Sequence, residues 1–179
     1  MKKYQIIVVD PPWEYKASDC IAKKSCLSGE HQEHYKYMTL EELHKLPINN
    51  ITDKNCLLFM WTTNPKLNEA IPLGEKWGFK YSTVAFVWDK QRLNPGYYTM
   101  SQVELCLVFR KGNIPKPRGT RNVRQFLSEM RREHSRKPDT IRNRITEMFP
   151  TQDKVELFAR EKTDGWDAWG NDVESDITL

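Results

Sequence analysis

Apolar residues in this chain are gathered into short, dense runs set between polar stretches, the pattern of buried strands joined by surface segments. The first run, Ile6-Ile7-Val8-Val9, predicts a strand over 5–9 that stops abruptly at Asp10-Pro11-Pro12. Cys56 to Trp61, Tyr81 to Trp88, Glu104 to Arg110 and Lys154 to Arg160 predict further strands. Helix signals fall between them. Thr39 opens a helix to about Leu46, with Glu42 completing a capping box. Asn64-Pro65 starts another toward Trp77, stopped by Gly78, and Pro138 takes the first position of one that reaches Phe149. A shorter helix is expected from Val123 to Glu133. Strand and helix alternate, so the expected fold is α/β, a mostly parallel sheet with helices on both faces. Segments 14–38, 90–102 and 112–136 are its long excursions and the candidate substrate-recognition segments.

Length and composition fit that picture: 179 residues suit a single domain over 1–179, and six tryptophans with seven tyrosines and seven phenylalanines argue against disorder despite 29% charged residues. The net charge of +4 is small, but its distribution is uneven. Arg110, Lys111, Lys116, Arg118, Arg121, Arg124, Arg131, Arg132, Arg136 and Lys137 face only Glu129 and Glu133, so the remainder is net acidic. With Gly112, Pro115, Pro117 and Gly119 among them, these cations predict a loop that either grips a phosphate backbone or is simply a solvated surface. Arg118, Arg121 and Arg124 are the candidate nucleic-acid contacts.

Cysteines 20, 26, 56 and 106 and the four scattered histidines form no zinc-ligand spacing, and Cys56 and Cys106 fall in apolar strands as buried thiols. No metal is expected. The chain enters a strand almost at once and has no membrane-length apolar run, so a cytoplasmic location away from membranes is expected. With no GxGxxG loop, a nicotinamide or flavin dinucleotide site has no support.

The chemistry concentrates at Asp10-Pro11-Pro12-Trp13. An acid at the carboxyl end of a parallel strand stands where open α/β sheets bind ligands. The amino group of adenine is a poor nucleophile because its lone pair is delocalised into the ring. The Asp10 carboxylate and the Pro11 carbonyl can each accept one amine hydrogen and turn the lone pair toward an electrophile, while Trp13 can stack on the base for about 1–3 kcal/mol.

Further segments appear in a fixed order: Tyr35-Lys36-Tyr37-Met38, Leu57-Leu58-Phe59-Met60-Trp61, Glu104-Leu105-Cys106-Leu107 with Lys111-Gly112-Asn113, His134-Ser135-Arg136-Lys137-Pro138-Asp139, Glu156-Leu157-Phe158-Ala159-Arg160, and Trp169-Gly170-Asn171. Taken together with Asp-Pro-Pro-Trp, this series resembles the MT-A70 family of adenine methyltransferases over nearly the whole chain, in the form of a stand-alone bacterial or phage-type member. The resemblance implies a Rossmann-like fold that uses S-adenosylmethionine, with motif order permuted so that the catalytic motif precedes the cofactor motif. It implies that Asp10, Pro11, Pro12 and Trp13 hold the adenine with Tyr35 and Glu104 near it. Asp10, Lys111, Arg160 and Asn171 would contact the cofactor, with His134 and Asp172 in support. The expected reaction is methylation of adenine N6 in nucleic acid, DNA ahead of RNA. A non-catalytic nucleic-acid-binding subunit is the alternative from another class. A homodimer or a methyltransferase partner subunit is the expected association.

Overall fold

The computed structural model describes residues 2–15, 37–96, 98–132 and 136–179. Tyr35, His134, Cys20 and Cys26 lie outside the described residues. Among the described residues, seven strands form one sheet: β1 (Tyr4–Val9), β2 (Thr52–Thr62), β3 (Lys80–Asn94), β4 (Ser101–Lys111), β5 (Phe126–Ser128), β6 (Lys154–Leu157) and β7 (Asp167–Trp169). Their spatial order is β5-β3-β4-β2-β1-β6-β7. Strands β2, β1, β6 and β7 pair in parallel, as do β3 and β5, and β4 runs antiparallel to both of its neighbours. Every strand except β4 therefore points the same way.

Among the described residues, three α-helices accompany the sheet: α1 (Leu40–Lys45), α2 (Leu67–Lys76) and α3 (Asp139–Met148). The period of two along the strands divides the core between the two faces. Ile7 and Val9 of β1 pack with Leu43 of α1 and with Ala70 and Leu73 of α2. Ile6 and Val8 turn the other way, toward Ile141 and Ile145 of α3. Helices thus cover both faces, as the alternation of elements predicts. The capping box of α1 forms as read, with Glu42 N–H donating to Thr39 Oγ1 at 3.2 Å and Thr39 N–H to Glu42 Oε2 at 2.8 Å.

Three expectations are corrected. No helix spans the described part of 123–133; Phe126–Ser128 is strand β5, paired with Val87–Asp89. The Glu129 and Arg131 amides then continue along β3, donating to the Asp89 and Lys90 carbonyls at 3.1 Å each. An open strand edge supplied partners that local propensity did not foresee. The fifth predicted strand, Lys154 to Arg160, also shortens, because β6 ends at Leu157 and Phe158 adopts a left-handed φ of 59°. Pro138 is the N-cap of α3 rather than its first residue. Among the described residues, no helix is long and apolar enough to cross a membrane.

Gly74 lets α2 lie directly on the sheet. A Cβ there would stand 2.4 Å from Cε1 of the fully buried Phe109. In an open helix Gly→Ala gains about 1 kcal/mol. Here overpacking of about 1–3 kcal/mol opposes that gain. Gly74→Ala is therefore expected to lower the urea midpoint of unfolding, and a raised midpoint would show that the contact is not tight.

Candidate active site

Strand β1 is the point at which the chain reverses its direction of travel across the sheet. From β1 it passes through α1 to β2 on one side, and through α3 it arrives at β6 on the other. Helices leaving on opposite faces open a crevice at the carboxyl ends of β1 and β6, where open α/β sheets bind ligands. Asp10 is the first residue past β1 and faces that crevice level.

Asp10 does not stand alone. Lys137, immediately before α3, places Nζ 2.8 Å from Asp10 Oδ2 and 3.2 Å from Glu104 Oε2. Glu104 Oε1 in turn lies 3.2 Å from Nζ of Lys90 on β3. Negative and positive groups thus alternate along Asp10, Lys137, Glu104 and Lys90 across four separate elements. Lys137 also sits over the Trp61 ring at 5.6 Å from its centroid, and Trp61 meets Trp88 edge to face at 6.2 Å. Burial pushes the Glu104 carboxyl up, but Lys137 and Lys90 outweigh it and hold the group below its usual 4.5. Burial opposes the charge of Lys137, yet Asp10 and Glu104 raise its pKa above the ordinary 10.5.

The rest of the tetrapeptide forms the wall of this crevice. Pro11 O accepts the Trp13 amide at 2.8 Å and Pro12 O the Met38 amide at 3.0 Å. The Trp13 indole is 5% exposed, packs in the core and donates to Trp61 O at 3.3 Å. It is a fixed wall of the site rather than an open stacking plate. Tyr15 hydrogen-bonds Thr63 at 2.8 Å beyond the end of β2, and burial raises its hydroxyl pKa to about 12.

On the far side of Asp10, the turn after β6 holds Arg160 half-buried, and the turn after β7 brings up Asn171 and Asp172, both exposed. The two turns interlock: Ala159 N–H donates to Trp169 O at 2.9 Å, and the Phe158 and Trp169 rings meet at 5.2 Å. A Cβ on Gly170 would lie 2.2 Å from Ala159 O, so this turn admits only glycine. Beneath them Arg142 of α3 pairs with Glu156 of β6 at 2.9 Å and with Asp139 at 3.3 Å.

The structure does not bring every sequence candidate to this edge. Because β4 is antiparallel, Glu104 near its start and Lys111 at its end lie at opposite edges of the sheet. Lys111 Nζ donates to Asn49 Oδ1 at 3.0 Å, and Gly112 turns tightly over Lys54 O, which a Cβ would approach to 2.2 Å. The Lys-Gly-Asn turn is thus a corner of the fold, remote from Asp10. Arg118 stacks on Phe149, 5.5 Å from ring centroid, past the carboxyl end of α3, and Thr120 N–H donates to Glu147 O at 3.0 Å. Arg118 too lies at the end of the sheet away from Asp10. Arg121 and Arg124 are exposed beside it and on the approach to β5. Arg132 and Arg136 are engaged by Asp139, at 2.8 and 3.3 Å, and Arg136 also by Glu161. The cationic run is therefore pinned in large part to the protein itself. The residue that sequence reasoning missed is Lys137; it stood in the Lys-Pro-Asp segment, but only the fold shows it facing two carboxylates.

The sequence profile of the MT-A70 family matches residues 4–172. The chain belongs to the MT-A70 family. It is similar to the Type II methyltransferase M.MunI of Mycoplasma sp, 50% identical over 96% of this chain and 78% of that protein. It is also similar to the N(6)-adenine-specific methyltransferase METTL4 of Homo sapiens, 25% identical over 96% of this chain and 38% of that protein. A putative N(6)-adenosine-methyltransferase MT-A70-like protein of Medicago truncatula is 30% identical over 96% of this chain and 26% of its own length. The chain spans most of the first relative and well under half of the other two. Among the described residues of this MT-A70 chain, no three His, Cys, Asp or Glu side chains are grouped to hold a metal ion.

Glu104 stabilises the fold through its charge, so its contribution is complete above its unfolded pKa and is lost as pH falls through the lower folded value. Unfolding free energy is expected to decline with acid below about pH 4.5, and Glu104→Gln is expected to flatten that decline while costing about 3 kcal/mol at neutral pH. Equal acid slopes in urea titrations of both proteins would contradict this reading.

Proposed function

We propose that this chain is an S-adenosylmethionine-dependent methyltransferase acting on the exocyclic amine, N6, of adenine in nucleic acid, with DNA preferred over RNA. The observation that carries the reading is Asp10: an acid at the topological switch point, paired with Lys137 through one oxygen and adjoining a proline carbonyl. Family membership and the names of the relatives support it.

In this reading, Asp10 Oδ1 and the second lone pair of Pro11 O accept the two amine hydrogens and draw the lone pair out of conjugation. The buried Trp13 and Trp61 shape the wall against which the base is held. When bound, S-adenosylmethionine supplies an electrophilic methyl group on a sulfonium. Methylation would leave a surplus proton on the amine nitrogen, and that proton would depart by way of Asp10. Lys137 holds the Asp10 carboxylate in place for both tasks.

The donor set at this edge fits the cofactor. An amino acid joined to a nucleoside needs cations for its carboxylate and mixed donors and acceptors for its ribose hydroxyls. Lys137 and Arg160 offer the first, and Asn171 and Asp172 the second. Lys111, which donates to Asn49 at the opposite end of β4, is left out of this proposal.

The test is mass spectrometry of nucleosides after incubation of the protein with S-adenosylmethionine and duplex DNA, single-stranded DNA or RNA. N6-methyladenine is expected in DNA, reduced by at least about a hundredfold in Asp10→Ala, on the scale of losing a group that acts at the transition state. Product in RNA alone would reassign the polymer. Failure to bind the cofactor would favour a non-catalytic subunit.

A further inference from the structure

Strand β2 ends at Thr62, opposite Leu105 of β4. Beyond that level β3 and β4 continue together, pairing Trp88 with Glu104, Asp89 with Val103 and Asn94 with Ser101. The overhanging hairpin, seven residues of β3 against four of β4 with a bulge between Asp89 and Asn94, reaches on the order of 10–15 Å past the edge that holds Asp10.

Its base is held firmly. Asp89 accepts from the Gln91 amide at 2.9 Å, from Gln102 Nε2 at 2.6 Å and from Ser128 Oγ at 2.8 Å, while Lys90 joins the charge chain through Glu104. Its tip is apolar and bare: Tyr98 is 99% exposed, Leu93 56% and Met100 54%. From Gln91 to Val103 the sequence has no carboxylate and a single charged residue, the exposed Arg92. An arm held at its base through Asp89 and Lys90, with an apolar tip and no carboxylate beyond Asp89, suits a polyanion whose bases must be separated.

We propose that this hairpin is a wedge that enters duplex DNA beside the target adenine, with Tyr98 at its point filling the gap left when the base turns out toward Asp10. The proposal rests on the function proposed above and adds how a paired base reaches the site. An adenine within a duplex cannot present its amine to Asp10 while stacked, and extrusion costs a few kcal/mol. Apolar side chains that insert between base steps hold such openings. Tyr98 is a positioning residue, since nothing places it at the reacting atoms.

The experiment compares initial rates of N6-methyladenine formation in long mixed-sequence duplex DNA and in the same DNA after denaturation, for wild type, Tyr98→Ala and Tyr98→Trp. The expected result is a duplex-to-single-strand rate ratio that falls about tenfold or more in Tyr98→Ala and is restored in Tyr98→Trp, as loss of a few kcal/mol of help in extrusion requires. An unchanged ratio, whether or not both rates fall, overturns the wedge while leaving the methyltransferase reading intact. So does a wild-type dimer that sedimentation shows to be dissociated by Tyr98→Ala, since the tip would then be a subunit contact. No methylation of either DNA by the wild type would instead remove the parent reading, and the wedge with it.

Discussion

The alternation of charge from Asp10 to Lys137, Glu104 and Lys90 is the constraint around which the functional edge is arranged. Glu104 and Lys137 are largely withdrawn from water, and neither charge would be tolerable there without the others. Each member comes from a different element: the end of β1, the lead into α3, β4 and β3. Their mutual satisfaction therefore fixes the relative positions of four segments at the place where chemistry is proposed. Trp61 beneath Lys137 closes the arrangement with an aromatic face.

The reversed direction of β4 sorts the molecule into two ends. At the carboxyl edge of the parallel strands lie Asp10, Glu104, Arg160 and Asn171. At the other end lie Lys111, the Gly112 corner and the Arg118 contact with Phe149, which close the fold. A charged residue in the second group helps to hold a turn or a helix end, however close it stands in sequence to a functional one. Seven residues along β4 separate Glu104 from Lys111, enough to carry one into the site and the other out of it.

Much of this was legible in the chain. Dense apolar runs announced β1 through β4, Thr39 and Glu42 announced α1, and Asp10-Pro11-Pro12-Trp13 marked the site because an acid and two prolines must end a buried strand. What escaped were features that depend on a partner far away in sequence. β5 is a strand because the edge of β3 accepts it, and β7 is only Asp167–Trp169, too short to carry a period. Lys137 looked like one cation in a basic run until the fold set it between Asp10 and Glu104. Trp13 was expected to present its ring to a base, and what the sequence could not show is that the ring is 5% exposed and packs in the core. The basic run itself looked like a free loop, and Asp139 and Glu161 take up Arg132 and Arg136 within it.

The central claim is that the carboxyl edge around Asp10, and not the opposite edge, receives the cofactor. Amide hydrogen exchange with and without S-adenosylmethionine tests it most directly, because the two edges are reported by different peptides. The account predicts protection in segments 10–15, 137–142, 158–162 and 169–173, with no change at 110–120 or 147–154. Protection centred on Lys111 to Gly119 would contradict it.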